Sequence, residues 1–269
     1  MLLLHRSNPR NGTGGSTMRV AIITGGSSGI GQSAAIQLAQ HGTGVILTFQ
    51  GNEAGALDTV ATIEKGGGTA VALPLDVGRS ETFPAFHDSV VAALRDTWQR
   101  DSFDFLVNNA GAGHMALFEE TTEEDFDRLV RVLLKGPYFL TQTLLPLMVD
   151  GGAIVNTTSS SSRSLGLEPG YSVYGSLKGG LVVLTRYMAK EFSGRGIRVN
   201  SVSPGVTRTR IGDNAFERFP DLIPGIAART ALGRIGEPDD VGMAIAMLLG
   251  EESRWITAQD IEVSGGLDL

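Results

Sequence analysis

The chain has 269 residues, of which 42% are hydrophobic and 19% charged, and its 22 basic against 29 acidic residues leave a formal net charge of −7. That length suits one large domain or two small ones, and the absence of a basic stripe argues against a nucleic-acid backbone as partner. With no cysteine there is no disulfide scaffold, thiolate nucleophile or Cys-ligated metal, and His5, His41, His87 and His114 are too scattered for a zinc site.

Residues 1–4 are too few for the core of a signal peptide, and no run approaches the roughly 20 apolar residues that span a membrane. Residues 6–17 are rich in Asn, Gly, Ser and Thr, so 1–17 reads as a disordered N-terminal extension. Met18 then stands directly before the first strand, where a natural start would lie. A soluble, cytoplasmic protein with no membrane or nucleic-acid partner is the expectation.

Residues 19–24 form a short β-branched run that ends in glycines, the pattern of a buried strand. A helix follows over 29–41, then a strand at 45–49, a helix at 53–65 and a strand at 69–73. A helix is expected from Asp76 to about Trp98, and a fourth strand at 103–107. One long helix should span about 122–149, followed by a strand at 153–157, a helix at 171–192 and a strand at 197–202. Residues 204–236 show no clear period; a helix at 239–249 and a strand at 260–263 close the chain.

Strands that alternate with helices and are nearly all apolar predict a parallel sheet covered on both faces. The fold class is therefore α/β, a single doubly wound parallel sheet of about seven strands. Residues 18–269 are expected to form one such domain. Ligands of such sheets bind outside the carboxyl ends of the strands, and each motif below falls at such an end.

Gly25, Ser27, Ser28, Gly29, Ile30 and Gly31 join the first strand to the first helix. Glycines there permit a tight turn and close backbone approach to a pyrophosphate, while the helix N-terminus offers N–H donors. No Lys-Ser or Lys-Thr follows, which excludes a Walker loop. Tyr174 and Lys178 are four apart and share a helix face.

Together the glycine loop, Asn108-Asn109-Ala110-Gly111, Tyr174-x-x-x-Lys178 and Pro204-Gly205 resemble the short-chain dehydrogenase/reductase family over about residues 18–266. The resemblance implies an oxidoreductase that interconverts a carbonyl and an alcohol with a nicotinamide cofactor. It assigns catalysis to Ser159, Tyr174 and Lys178. Tyr174 would act as general acid and base, Lys178 would lower its pKa and hold the nicotinamide ribose, and a serine would orient the carbonyl. Counting from the fifth strand selects Ser159; counting back from Tyr174 selects Ser161.

By the same resemblance Asp76 and Val77 would meet the adenine, although Asp76 also suits a helix-entry cap. Asn108, Ala110 and Gly111 would line the cofactor, with Asn109 tying strands together, and Pro204, Gly205, Val206 and Thr207 would meet the nicotinamide. Phe49, beside Gln50, stands where an acid would accept the adenosine ribose hydroxyls. With no carboxylate to repel a 2′-phosphate, NADP(H) is expected over NAD(H), although the usual arginine partner is missing there.

Residues 208–236 resemble a mobile substrate lid that brings Phe216, Phe219, Leu222 and Ile226 to a small-molecule ligand. His114, Met115, Leu165 and Tyr171 should border the pocket, for a mainly apolar carbonyl substrate. Leu133 stands where the family carries an asparagine that helps maintain a local helix distortion. The two alternative readings are an NAD-dependent alcohol dehydrogenase and a catalytically weakened dinucleotide-binding protein. The resemblance also implies a homodimer or homotetramer, for which Leu144, Leu147, Val182 and Val183 offer apolar contacts.

Overall fold

Alternation of side chains along each strand supplies both faces of the sheet with apolar residues. In β1 (Val20–Ile23), Val20 and Ile22 enter the core on one face while Ala21 and Ile23 enter the core on the other. The computed structural model describes residues 18–163 and 167–269. The expected extension, residues 1–17, and Leu165 of the expected pocket lie outside the described residues.

From β1 the chain alternates through α1 (Gly29–Gln40), β2 (Gly44–Phe49), α2 (Glu53–Lys65), β3 (Ala70–Pro74), α3 (Phe83–Trp98) and β4 (Phe103–Asn108). After α4 (Glu123–Val130) and α5 (Gly136–Leu144) come β5 (Met148–Thr157), α6 (Ser172–Glu191) and β6 (Arg198–Pro204). Two short helices, α7 (Ile211–Arg218) and α8 (Leu222–Ala228), occupy the segment without a clear period. α9 (Pro238–Leu249) and β7 (Asp260–Val263) complete the order.

The strands form one seven-stranded sheet in the order β3-β2-β1-β4-β5-β6-β7, and every neighbouring pair is parallel. The order reverses between β1 and β4, which opens the crevice where such sheets bind ligands. α1, α2 and α9 cover one face, through Ala34, Leu38, Ile63 and Ile245 among others. α3, α5 and α6 cover the other, through Phe86, Val90, Leu140 and Met188. α1 and α9 meet closely: a Cβ at Gly242 would lie 2.2 Å from Ser33 Oγ, and Ser33 donates to Asp239 at 2.5 Å.

The single long helix expected over 122–149 is instead broken twice. Arg131–Lys135 is a π-helical turn, with the Gly136 N–H bonded to the Arg131 carbonyl. Pro137 has no N–H to give the Leu133 carbonyl four residues back, so regular α geometry cannot continue through this point. A second proline, Pro146, sits in the 3₁₀ turn Leu145–Leu147, and β5 starts at Met148. The helix after β3 likewise begins late, at Phe83, after a 3₁₀ turn at Ser80–Thr82.

These breaks revise the expected oligomer face. Leu144 is fully buried in the core, and Leu147 packs partly buried against the same cluster. On α6, Val182 is half-buried and Val183 is exposed, as are Tyr187 and, on α5, Tyr138 and Phe139.

Candidate active site

A cleft of about 1220 Å³ runs along the carboxyl ends of the strands. Its floor begins with the β1–α1 loop, where Gly25 (φ +70°) and Gly29 (φ +56°) adopt left-handed backbone that favours glycine. A Cβ on Gly25 would lie 3.0 Å from Ala110 Cα. Ser28 is the N-cap of α1 yet makes no side-chain cap bond, and the first turn has no acidic residue. The helix thus presents N–H donors and its positive dipole end to the cleft, as a diphosphate requires. Gly25, Ser27, Ser28, Gly29 and Ile30 line the cleft. Gly31 does not: it packs under the loop, where a Cβ would sit 2.2 Å from the Gly25 carbonyl oxygen.

Thr48, Phe49 and Gln50 from the end of β2 line the cleft beside Asp76 and Val77 from the end of β3. The Leu75 N–H holds these ends together by bonding to the Phe49 carbonyl. Asp76 accepts from the Gly78 N–H at 2.8 Å, so it shapes its turn as well as lining the cleft. Arg79, three residues on, also lines the cleft and pairs with Glu81 at 2.9 Å. Sequence reasoning missed this cation, because the signal it sought lay near β2.

Asn109, Ala110 and Gly111 line the cleft past β4, whereas Asn108 lies beneath it. The Asn108 amide donates to Thr141 and Asn156 and so ties β4 to α5 and β5. Its side chain is thus spent on bracing the sheet. Asn109 also braces, through bonds to the Thr24 and Gly25 carbonyls.

Ser159, Tyr174 and Lys178 come together on the cleft wall. Of the two serines it is Ser159, not Ser161, whose side chain acts on the Tyr174 phenol and lowers its pKa. The backbone of Ser161 packs instead against α6, where a Cβ on Gly175 would meet its carbonyl oxygen at 2.7 Å. Desolvation pushes the phenol above its ordinary range, the Ser159 side chain pulls it down, and the nearby Tyr171 phenol adds a small upward push. The Lys178 ammonium is buried, donates to the Thr157 carbonyl at 2.6 Å and lies 5.7 Å from the Tyr174 ring centroid. Burial brings its own pKa down to about 8. Desolvation, rather than the lysine charge expected from the spacing, thus dominates the tyrosine in this state.

Pro204, Gly205, Val206 and Thr207 close the β6 side of the cleft. The Thr207 hydroxyl donates inward to the Gly205 carbonyl at 3.0 Å, which leaves its lone pairs rather than its proton for a ligand. Phe216, Leu222 and Ile226 line the outer end together with His114, Met115 and Tyr171. Phe219 is half exposed, lies off the cleft and stacks on the Arg218 guanidinium at 5.2 Å. At the mouth Arg229 pairs with Glu168 and doubly with Asp268, each at 2.7 Å. These three residues join the α6 approach, the end of α8 and the chain's last residues, and no sequence spacing announces them.

Leu133 is buried with Leu129 and Leu177. The helix distortion is present at this leucine, with Pro137 as its local cause. Among the described residues there is no group of three or more His, Asp or Glu placed to hold a metal, and no helix is long and apolar enough to cross a membrane.

A family model described as enoyl-(acyl carrier protein) reductase matches residues 25–268. The 3-oxoacyl-[acyl-carrier-protein] reductase of Thermotoga maritima is 35% identical over 253 residues, covering 93% of this chain and 97% of that one. The promiscuous reductase LugOII, which catalyses keto-reduction at C1 in lugdunomycin biosynthesis, is 36% identical, with a TM-score of 0.89 over 94% of this chain and 99% of its own. The angucycline C-6 ketoreductase LanV, solved with bound NADP, is 32% identical, with a TM-score of 0.87 over 94% of this chain and 97% of its own. With its sheet order, its glycine cradle and these likenesses, the chain belongs to the short-chain dehydrogenase/reductase family and is an NAD(P)-dependent oxidoreductase.

Proposed function

We propose that the protein is an NADPH-dependent ketoreductase acting on a bulky, mainly apolar ketone of fused aromatic rings. The observation that carries this reading is the meeting of Ser159, Tyr174 and Lys178 on one cleft wall, with Lys178 one helical turn from the tyrosine, at the end of a glycine cradle. The bound dinucleotide would supply hydride to the carbonyl carbon. Ser159 orients the carbonyl oxygen, and Tyr174 gives it a proton as charge develops. Lys178 would hold the nicotinamide ribose and pass a proton drawn from solvent toward the tyrosine.

The apolar outer end of the cleft, with Met115, Tyr171, Phe216, Leu222 and Ile226, supports a fused-ring substrate, as do the angucycline substrates named for LanV. The lack of a carboxylate at Phe49 and the cation of Arg79 support NADPH over NADH. We place the enzyme in the cytoplasm as a homodimer or homotetramer, joined through the α5–α6 face where Tyr138, Phe139, Val183 and Tyr187 are exposed. Light scattering checks the assembly, and a monomer at micromolar concentration would refute it.

The test of the function is a fluorescence titration with NADPH and NADH, followed by α-tetralone, larger fused-ring ketones and a 3-oxoacyl thioester. Tighter binding of NADPH, with oxidation on adding the fused-ring ketones, is expected. Preference for NADH would overturn the cofactor assignment, and turnover of the thioester alone would overturn the substrate class.

A further inference from the structure

Ser159 stands on an insecure footing for a residue that must hold a carbonyl in place. It caps a single 3₁₀ turn, Ser160–Ser162, whose small polar side chains bring no apolar packing of their own. Inside the turn, Ser159 Oγ accepts from the Ser161 N–H at 3.2 Å. Its carbonyl accepts from the Ser162 N–H at 3.0 Å and the Ser162 hydroxyl at 2.7 Å. Such bonds shape the turn without fixing it to the rest of the protein.

Ser161 packs its backbone against α6, and the polar fixing comes from the two residues that flank the turn. Before the turn, the Thr158 hydroxyl lies 2.8 Å from both the Val202 carbonyl and Asp260 Oδ1, and the Thr158 N–H bonds to the same Val202 carbonyl at 2.7 Å. After the turn, Arg163 Nη2 donates to Asp260 Oδ2 at 2.9 Å and to the Asp260 carbonyl at 3.0 Å. Its Nη1 lies 3.3 Å from Glu262 Oε2. The Ser201 hydroxyl also donates to Asp260 Oδ1, at 2.7 Å. One carboxylate therefore receives both ends of the serine turn. Its side chain is only 10% exposed, where charge-assisted bonds of good geometry are strong. Neither Asp260 nor Arg163 lines the cleft, so neither can touch a substrate.

We propose that Asp260 is a positioning residue for the reaction: through Thr158 on one side and Arg163 on the other, it clamps the turn that carries Ser159. This rests on the reading of Ser159 as the residue that orients the carbonyl. Small misplacement of such a group is costly to rate and leaves cofactor binding alone.

The test is a double-mutant cycle of Asp260→Asn and Ser159→Ala, with α-tetralone as the ketone, NADPH binding by fluorescence and amide hydrogen exchange. Asp260→Asn should lower kcat on the order of 10- to 100-fold with NADPH affinity unchanged. In the Ser159→Ala background it should cost less than about twofold, as expected of residues acting in one unit. Exchange at the Ser161 and Ser162 amides, both bonded to Ser159, should rise in Asp260→Asn, a readout that needs no turnover. Arg163→Lys should recover part of the kcat that Arg163→Gln loses. If Asp260→Asn fails to fold, Arg163→Gln carries the same cycle, since that side chain is 34% exposed. Equal losses in both backgrounds, or unchanged amide exchange, would overturn the clamp and leave the serine's role intact. Full kcat in Ser159→Ala alone would overturn the serine's role, and the clamp with it.

Discussion

Lys178 lies 5.7 Å from the Tyr174 ring centroid, and its ammonium is tied at 2.6 Å to the carbonyl of Thr157, at the end of β5. The strand that leads to Ser159 thus also anchors the lysine. Tyrosine and lysine share one face of α6 because they are four residues apart. The helix and the strand end act as one rigid mount.

Replacing Tyr174 by Phe removes the proton donor and leaves the ring in place. The expected outcome is a loss of about 10²- to 10⁴-fold in kcat with NADPH affinity retained. Undiminished reduction, followed by NADPH absorbance, would end the proposed mechanism.

Lys178 and Tyr174 make stability depend on pH in opposite senses. Lys178 has a folded pKa of about 8, below its ordinary 10.5, so between these values the unfolded chain binds more protons than the native one. Its contribution to unfolding free energy therefore rises with pH across that window. Tyr174 is raised above 10, so its contribution falls as pH climbs past 10. Urea unfolding of wild type and Lys178→Met from pH 7 to 10 tests this. The difference between them should grow in favour of wild type with rising pH, and a flat difference would contradict a depressed lysine.

Phe49 should control the choice of dinucleotide. In Phe49→Asp a carboxylate at the end of β2 would repel a 2′-phosphate and accept bonds from free ribose hydroxyls. The ratio of NADPH to NADH affinity should fall by about tenfold or more, the effect of roughly 1.4 kcal/mol. Fluorescence titration of both cofactors reads the ratio directly, and an unmoved ratio would show that the nucleotide is selected elsewhere.

Leu133→Asn restores the residue found in the resembling family but sets an amide among Leu129 and Leu177. A buried amide without partners costs about 1–3 kcal/mol, so the variant should lose stability in urea. Because Pro137 and the π-helical turn are already present, kcat should not rise. A large gain in turnover would mean that the leucine impairs the enzyme.

The sheet was legible because buried parallel strands are short apolar runs, and the residues 20–23, 44–49 and 260–263 sit within a residue or so of where their pattern puts them. Tyr174 and Lys178 were legible because both belong to one helix. The breaks between Arg131 and Leu147 were obscured because an amphipathic period runs straight through Pro137 and Pro146. Leu144 was misplaced for a related reason: an apolar residue on a helix facing the sheet has the same signature as one facing a partner. Nor did any local pattern announce Arg229 with Glu168 and Asp268, or Asp260 with Thr158, which lie 61, 39 and 102 residues apart. Ion pairs between distant segments leave no period.

The close meeting of Gly242 with Ser33 has a consequence for how the protein is made. α1, whose N-terminus faces the cleft, emerges early from the ribosome, while α9, which covers its flank, follows some two hundred residues later. Until then the nascent first half can pair β1, β2 and β3 but keeps an apolar flank open to other chains, a setting in which holding factors matter. A bulky side chain at residue 242 would clash with Ser33, and so would both prolong that exposure during synthesis and destabilise the finished enzyme.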